Sequence, residues 1–340
     1  MYPVTFVYRH PDPIYFSIEN LFDRISAGVS TAYPGEFQGE KITVPYKSKL
    51  NNLLKNIAFM RKKQTAINHI TGDIYYTILG CHRRNINVMT VHDCVALYRY
   101  SKGDPRYWII KWLWYDLPVR KADMVTVISE YAGREVTKFT GCSPQKIRVI
   151  PNFVDPAFRP FPAPFQKDRP SILFIGTTPN KNLDLLMEAV AGLRVELEII
   201  GQLNEGQVAK LKELKIDYRQ CSGLGQEELI QKYRDCDLLA FPSTYEGFGL
   251  PILEAQAVGR PVLTSLLSPM KEVAGQGACL IDPNSPASIR QGLLRMIEEE
   301  NYRENLIREG YRNVQYYQLE KVIKEYASLY RELIGKRMGI

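Results

Sequence analysis

Cysteine is sparse and unpatterned in this 340-residue chain: six residues, at 81, 94, 142, 221, 236 and 279, without paired spacing. That argues against a disulfide framework and against zinc-ligand spacings, and several of the six sit in apolar runs where reduced core cysteines belong. No stretch approaches the ~20 uninterrupted apolar residues of a membrane span. The opening run Val4-Thr-Phe-Val-Tyr8 has no basic segment, apolar segment and cleavage site in series, so no signal peptide is expected. Low-complexity tracts are absent too, and no repeat emerges beyond two α/β halves. The cysteine usage leads to the expectation of a cytoplasmic protein.

What is present fits a globular chain: 45% hydrophobic and 24% charged residues, in a length that accommodates two domains with separate cores. The net charge of +7 is unevenly placed. Residues 1–155 hold 21 Lys/Arg against 13 Asp/Glu, whereas the remainder holds 23 against 24. An anionic partner for the first half is implied, either a membrane surface or a phosphorylated acceptor. The basic residues form no nucleic-acid-binding motif, and no nucleic-acid partner is expected.

Strands and helices alternate in the second half, the pattern of a parallel doubly wound sheet. Ser171–Gly176 is a buried strand, followed by Leu183, Leu186, Val190 and Leu193 at helical spacing and by a strand over 195–200. A helix over 227–234 leads to a strand at 238–241, a helix near 252–258 and a strand at 262–264. From Pro286 onward the chain reads as helical, with a break near 310–318. The first half has the same rhythm less clearly: a strand at 4–8, a helix near 15–27, and apolar runs at 74–79, 86–91 and 124–128. Ser129 is placed to cap a helix after the last of these.

The most informative segment is Tyr245-Glu-Gly-Phe-Gly-Leu-Pro-Ile-Leu-Glu254, between the strand at 238–241 and the following helix. Two carboxylates, Glu246 and Glu254, flank a glycine-rich strand-to-helix turn. Pro251 suits the first helical position and Gly259 a C-terminal cap. Free amides at Gly247, Phe248, Gly249 and Leu250, with the positive end of the helix dipole, attract a phosphate. The carboxylates, which only accept hydrogen bonds, hold hydroxyl groups on either side of it. The outline is that of a nucleotide-sugar.

With Phe-Pro-Ser before it and Gly-Arg-Pro-Val after it, this segment resembles the Glu-x7-Glu signature of family 4 retaining glycosyltransferases. That resemblance implies an α/β, GT-B fold: two Rossmann-like doubly wound domains facing a central cleft. It also implies that Glu246 contacts the donor sugar and Glu254 the ribose. Gly176-Thr-Thr-Pro-Asn-Lys181 is similar to the family's Gly-x4-Lys loop, whose lysine neutralises the donor diphosphate, a role that falls on Lys181. Many relatives carry arginine directly after that glycine, where this chain has Thr177. Gly201 and Leu224 occupy loops that in relatives contact the ribose and base. His92, ending the run Val88-Met-Thr-Val-His, matches a histidine that contacts the donor sugar from the other domain. Ile150-Pro-Asn-Phe-Val-Asp155 resembles the family's hinge, with Phe153 in place of glycine. The domains expected are 1–155, a linker at 156–170, 171–317, and a C-terminal helix at 318–340 returning to the first domain.

Asn68–Asp73 is read as preceding a strand, and either lines the acceptor cleft or is structural. Asp235-Cys-Asp237 has the form of an Asp-x-Asp metal motif, but its position before the signature makes it structural; no metal and no cofactor are expected. Residues 47–64 interleave Lys47, Lys49, Lys55, Arg61, Lys62 and Lys63 with Leu50, Leu53, Leu54, Ile57 and Met60, a basic amphipathic helix. Residues 106–115 hold all three tryptophans. Both stretches suit either a membrane surface on the cytoplasmic face or an ordinary core helix with a solvated side. The loop Tyr8–Ile14 lacks the glycines that many relatives have there, so the acceptor does not carry over. The expected activity is retaining transfer of a hexose, mannose or glucose in type, from a GDP- or UDP-sugar to a saccharide or lipid-linked acceptor in cell-surface polysaccharide or glycolipid synthesis. The rivals are a nucleotide-sugar 2-epimerase of the same fold and a non-catalytic nucleotide-sugar-binding subunit.

Overall fold

The computed structural model describes residues 1–11 and 17–339. Much of the Tyr8–Ile14 loop, and the first residues of the helix expected near 15–27, lie outside these. The chain divides into two compact units, Met1–Phe153 with Leu319–Ile340, and Val154–Gln318.

The first unit is built on six parallel strands: β1 (Tyr2–Tyr8), β2 (Phe37–Thr43), β3 (Ile67–Ile70), β4 (Ile86–Val91), β5 (Met124–Val127) and β6 (Ile147–Val149), in the order β2-β1-β3-β4-β5-β6. Helices α1 (Ser17–Ala32), α2 (Leu53–Lys63), α3 (Val95–Tyr98), α4 (Pro105–Ile110), α5 (Leu117–Lys121) and α6 (Glu130–Thr140) form most of the crossovers. Successive strand residues serve opposite faces, as a sheet buried on both sides requires. Phe6 and Val88 join α1 and the C-terminal helix Leu319–Met338 in one core, while Val7, Met89 and Val125 join α2 and α6 in another. Arg331 of the C-terminal helix clamps Glu36 through two bonds of 2.6 and 2.7 Å, and Tyr330 meets His69 Nδ1 at 2.7 Å. Ser129 caps α6, accepting from the Ala132 amide at 3.1 Å.

Two readings of this half are corrected. The apolar run at 74–79 is a 3₁₀ helix, Tyr75–Gly80, whose Thr77 and Cys81 amides bond three residues back. A short apolar run looks the same as a buried strand or a buried helical turn. Asn68 and His69 do not precede a strand; they are β3, fully buried, with His69 Nε2 2.7 Å from Thr90 Oγ1. Their side chains are spent on partners inside the first unit.

The second unit holds β7 (Ser171–Ile175), β8 (Glu196–Ile200), β9 (Tyr218–Cys221), β10 (Leu238–Phe241), β11 (Val262–Ser265) and β12 (Ala278–Ile281), all parallel, in the order β12-β11-β10-β7-β8-β9. Its helices are α7 (Leu183–Val190), α8 (Glu205–Glu213), α9 (Gln226–Asp235), α10 (Leu250–Val258), α11 (Met270–Ala274), α12 (Pro286–Glu298) and α13 (Glu300–Val314). The helical break falls at 315–318, slightly later than the sequence suggests, because Gly310 is accommodated inside α13 against Gln256.

The proline-rich segment expected as a linker is held along the second unit. Phe158 packs edge-on against Tyr233, and the Phe161 amide donates to the Val258 carbonyl at 3.0 Å. Asp237 accepts from the Gln166 and Ser171 amides at 2.8 and 2.7 Å. That is the structural work of the Asp235-Cys-Asp237 string. Asp235 accepts from Gln231 at 2.7 Å.

Candidate active site

In the second sheet the strand order reverses between β7 and β10, which are neighbours although two strands and three helices separate them in sequence. The crevice beyond the carboxyl ends of two such strands is where open α/β sheets bind ligands, because the loops after them diverge to opposite faces. The loop after β7 is Gly176–Asn182 and the loop after β10 is Pro242–Gly249. Both loops singled out from the sequence therefore leave the same switch point.

The turn into α10 depends on Gly249, whose φ of +111° is left-handed; an added Cβ would also lie 3.1 Å from Ile252 Cδ1. Pro251 follows in the helix's first turn, where it has no intrahelical partner to lose. The amides of Phe248, Gly249 and Leu250 make no hydrogen bond within the described residues, leaving three donors at a helix N-terminus. Phe248 is buried edge-on against Tyr317 at 5.8 Å, which fixes the turn from beneath. Behind it, α10 is mostly apolar, with Ile252, Leu253 and residues 255–258 buried. Gln256 anchors it to the Ala274 and Gly277 carbonyls at 2.9 and 3.1 Å.

The two loops are laced together. Asn180 Nδ2 donates to the Tyr245 carbonyl at 2.9 Å, and the Thr244 amide returns a bond to the Asn180 carbonyl at 2.8 Å. Asn182, left-handed at φ 69°, donates to the carbonyls of Pro242 and Pro283 at 3.1 and 2.6 Å. This lacing brings Lys181 Nζ 2.7 Å from Glu246 Oε1 and 4.8 Å above the Phe241 ring. Gly176, at φ +89°, lets the lysine stem lie close: a Cβ there would stand 3.0 Å from Lys181 Cε. The pair is largely shielded, with side-chain exposures of 20% and 14%.

Glu254 lies in the first turns of α10. Its Oε2 accepts from Tyr233 Oη at 2.6 Å. Burial pushes its carboxyl up to about 7; the Tyr233 hydrogen bond opposes this and the charge of Asp155 adds to it. Of the secondary candidates, Thr177 spends its hydroxyl on the Gln202 carbonyl at 2.6 Å, and Gly201 abuts Thr177 and accepts from Gln220 at 2.6 Å. Leu224 is half-buried in the loop before α9.

His92 belongs to the first unit, at the carboxyl end of β4. Its Nε2–H donates to the Thr71 carbonyl at 2.8 Å, and its ring lies edge-on to Phe22. A carbonyl only accepts, so Nε2 carries the proton. Burial lowers the ring's pKa, and Nδ1 is left as an acceptor.

Sequence reading missed Asn180, Asn182 and Tyr233. The two asparagines sit in the Thr-Thr-Pro-Asn-Lys-Asn loop, and an asparagine beside proline before a helix is a signal for this geometry. Tyr233 ends an ordinary amphipathic helix, and nothing local marks it.

The family model described as "Glycosyltransferase Family 4" matches residues 2–158, and the one described as "Glycosyl transferases group 1" matches residues 157–313. The chain is 30% identical over 274 residues to the MMP α-(1→4)-mannosyltransferase of Mycolicibacterium hassiacum, a match covering 73% of this chain and 66% of that protein. It is 27% identical over 230 residues to the O-antigen chain mannosyltransferase B of Escherichia coli, covering 63% and 58% respectively. In both cases the matched segment spans just under two thirds of the relative's length or less. Among solved structures, the sucrose-phosphate synthase of Thermosynechococcus elongatus superposes with a TM-score of 0.81 at 17% identity, covering 99% of this chain and all (100%) of the other. Together with the two six-stranded parallel sheets, these matches make the chain a member of the family 4 glycosyltransferases, with a two-domain GT-B fold.

Proposed function

We propose that this chain is a retaining hexosyltransferase that takes a mannose- or glucose-type sugar from a GDP- or UDP-sugar. The acceptor is a saccharide or lipid-linked saccharide in cell-surface polysaccharide or glycolipid synthesis. The observation that carries the reading is the convergence, at one switch point, of the Glu246–Lys181 pair, three turn amides without a partner among the described residues, and Glu254. Glu246 and the turn hold the sugar, Lys181 and the helix N-terminus the diphosphate, and Glu254 the ribose. Bond breaking at the anomeric carbon moves negative charge onto the diphosphate. Fixed cationic and amide donors stabilise that charge more than the ground state. The acceptor hydroxyl attacks the anomeric carbon, and its proton passes to the departing diphosphate. The family resemblance assigns His92 to the donor sugar; its ring is kept neutral by burial, and Nδ1 accepts nothing among the described residues. No metal and no cofactor take part in this scheme.

The same reading includes contact with an anionic membrane on the cytoplasmic face. The 47–64 stretch is not one apolar face: Leu53 and Met60 enter the core, but Leu50 and Leu54 are 68% and 78% exposed beside Lys49 and Lys55, the latter lying over the Tyr46 ring at 5.2 Å. Of the tryptophans, Trp114 is tied to Tyr76 and to the Asp73 carbonyl, and Trp108 donates to the Lys102 carbonyl at 2.9 Å, yet Trp108 and Trp112 remain 54% and 55% exposed. Exposed leucine and tryptophan with lysine suit a charged interface.

A thermal-shift panel of GDP, UDP, ADP and their hexose conjugates tests the donor site, because a ligand that binds the folded state raises the melting temperature. A shift confined to one nucleotide family and abolished by Glu254→Ala is expected. No shift with any of them would favour a scaffold role.

A further inference from the structure

The signature glutamates differ in how the protein holds them. Glu246 is paired to a cation, whereas Glu254 has no cationic partner among the described residues. Only Oε2 of Glu254 is engaged, by the hydroxyl of Tyr233 at 2.6 Å. Oε1 accepts nothing within the described residues, although the carboxyl sits in a poorly solvated place. A carboxylate with one oxygen pinned and the other open is aimed.

The pin is itself rigid. Tyr233 is fully buried near the end of α9, its ring edge-on to Phe158 at 5.4 Å. Its carbonyl accepts from Arg260 Nε at 3.1 Å. Phe158 belongs to the proline-rich segment, and so does Asp155, which accepts from the Ala157 amide and from Gln226 Nε2 at 2.9 and 2.8 Å. Tyr233 from α9 and Asp155 from the 154–170 segment are the titratable groups that act on Glu254 from the elements around it.

We propose that Tyr233 is a positioning residue of the donor site: its hydroxyl fixes one oxygen of Glu254 so that the other faces the ribose hydroxyls. This rests on the reading that Glu254 holds the ribose. Ribose hydroxyls donate, so they bind the ionised carboxylate, and donor affinity falls as pH drops through the range where Glu254 protonates. A hydroxyl donating to the carboxylate favours its ionised form. Removing that donor moves the protonation midpoint upward; removing the negative charge of Asp155 moves it downward.

The test is calorimetric titration with GDP and with UDP from pH 6 to 9 on wild type, Tyr233→Phe, Asp155→Asn and Glu254→Ala. Tyr233→Phe keeps the ring against Phe158 and loses only the hydroxyl. Binding by Tyr233→Phe is expected to be about fivefold weaker at pH 7, approaching tenfold at pH 6, and within about twofold of wild type at pH 9, the signature of a midpoint raised by about one pH unit. Asp155→Asn is expected to bind a few-fold more tightly at pH 6 than wild type, and the same at pH 9. A Tyr233→Phe defect of equal size at every pH, or no defect, overturns the proposal while loss of binding in Glu254→Ala leaves the donor site standing. Unchanged binding in Glu254→Ala overturns the donor-site reading and this proposal with it.

Discussion

Lys181 Nζ and Glu246 Oε1 stand 2.7 Å apart, each on a loop leaving a different strand of the switch point. The residue assigned to the diphosphate thus holds the residue assigned to the sugar before any ligand arrives. The pair stores a ready-made cation, and a donor entering the site must bridge it or part it.

Removing the cation should therefore act on two observables. Lys181→Ala is expected to lower kcat by about 10²–10³-fold, the usual loss for one preorganised donor to developing negative charge. It should also destabilise the fold by about 1–3 kcal/mol, because Glu246 is left shielded and unpaired. Steady-state kinetics and denaturant unfolding check the two; an unchanged kcat would remove Lys181 from the chemistry.

Glu254 gives a stability signature independent of activity. Its carboxyl is raised from 4.5 to about 7 in the folded protein. The folded state thus binds more protons than the unfolded state across that window, and stability falls as pH rises through it. Glu254→Gln cannot ionise and should be more stable than wild type by about 1–3 kcal/mol above pH 7, with the gain vanishing near pH 4.5. Urea midpoints at pH 5 and 8 measure this.

The buried histidines of the first unit act in the opposite sense. Burial lowers His69 to about 3 and lowers His92 as well. Each stays neutral when folded but takes a proton near 6.5 when unfolded. Their contribution is fully present above pH 6.5 and is lost as pH falls below it. Stability should drop by roughly 1–3 kcal/mol per pH unit between pH 6 and 5, and His69→Gln should flatten the slope by about half. Unfolding midpoints across that range decide it.

Gly249→Ala places a Cβ at a left-handed position against Ile252. A cost of about 1–3 kcal/mol is expected from the strained backbone, together with loss of nucleotide binding as the turn amides shift. Retained binding in a destabilised protein would show that the amides do not hold the phosphate.

Replacing Leu50, Leu54 and Trp112 by serine together should weaken binding to vesicles containing anionic lipid without lowering the melting temperature, since all three side chains are more than half exposed. Co-sedimentation at two salt concentrations measures it, and unchanged binding would contradict the membrane reading.

The second unit was legible because its chemistry is local: Glu246 to Gly259 is one continuous turn and helix, and a glycine or proline marks each bend. The first unit was less so. β3 carries Asn68 and His69 in place of apolar residues, since their partners Thr65, Thr90 and Tyr330 come from elsewhere in the fold. The sequence also left β2, β6, β9 and β12 unassigned. β2 and β9 read as polar because they are the outermost strands of their sheets, with exposed side chains such as Glu40 and Arg219. Tyr233 was invisible for a different reason: its role depends on α9 meeting α10, which is tertiary information.

The most direct test of the account is amide hydrogen exchange with and without the nucleotide-sugar that gives the largest thermal shift. Protection should concentrate at Phe248–Leu250 and in the Gly176–Asn182 loop. Binding that leaves both segments exchanging as before, with protection elsewhere, would contradict the placement of the donor at this turn.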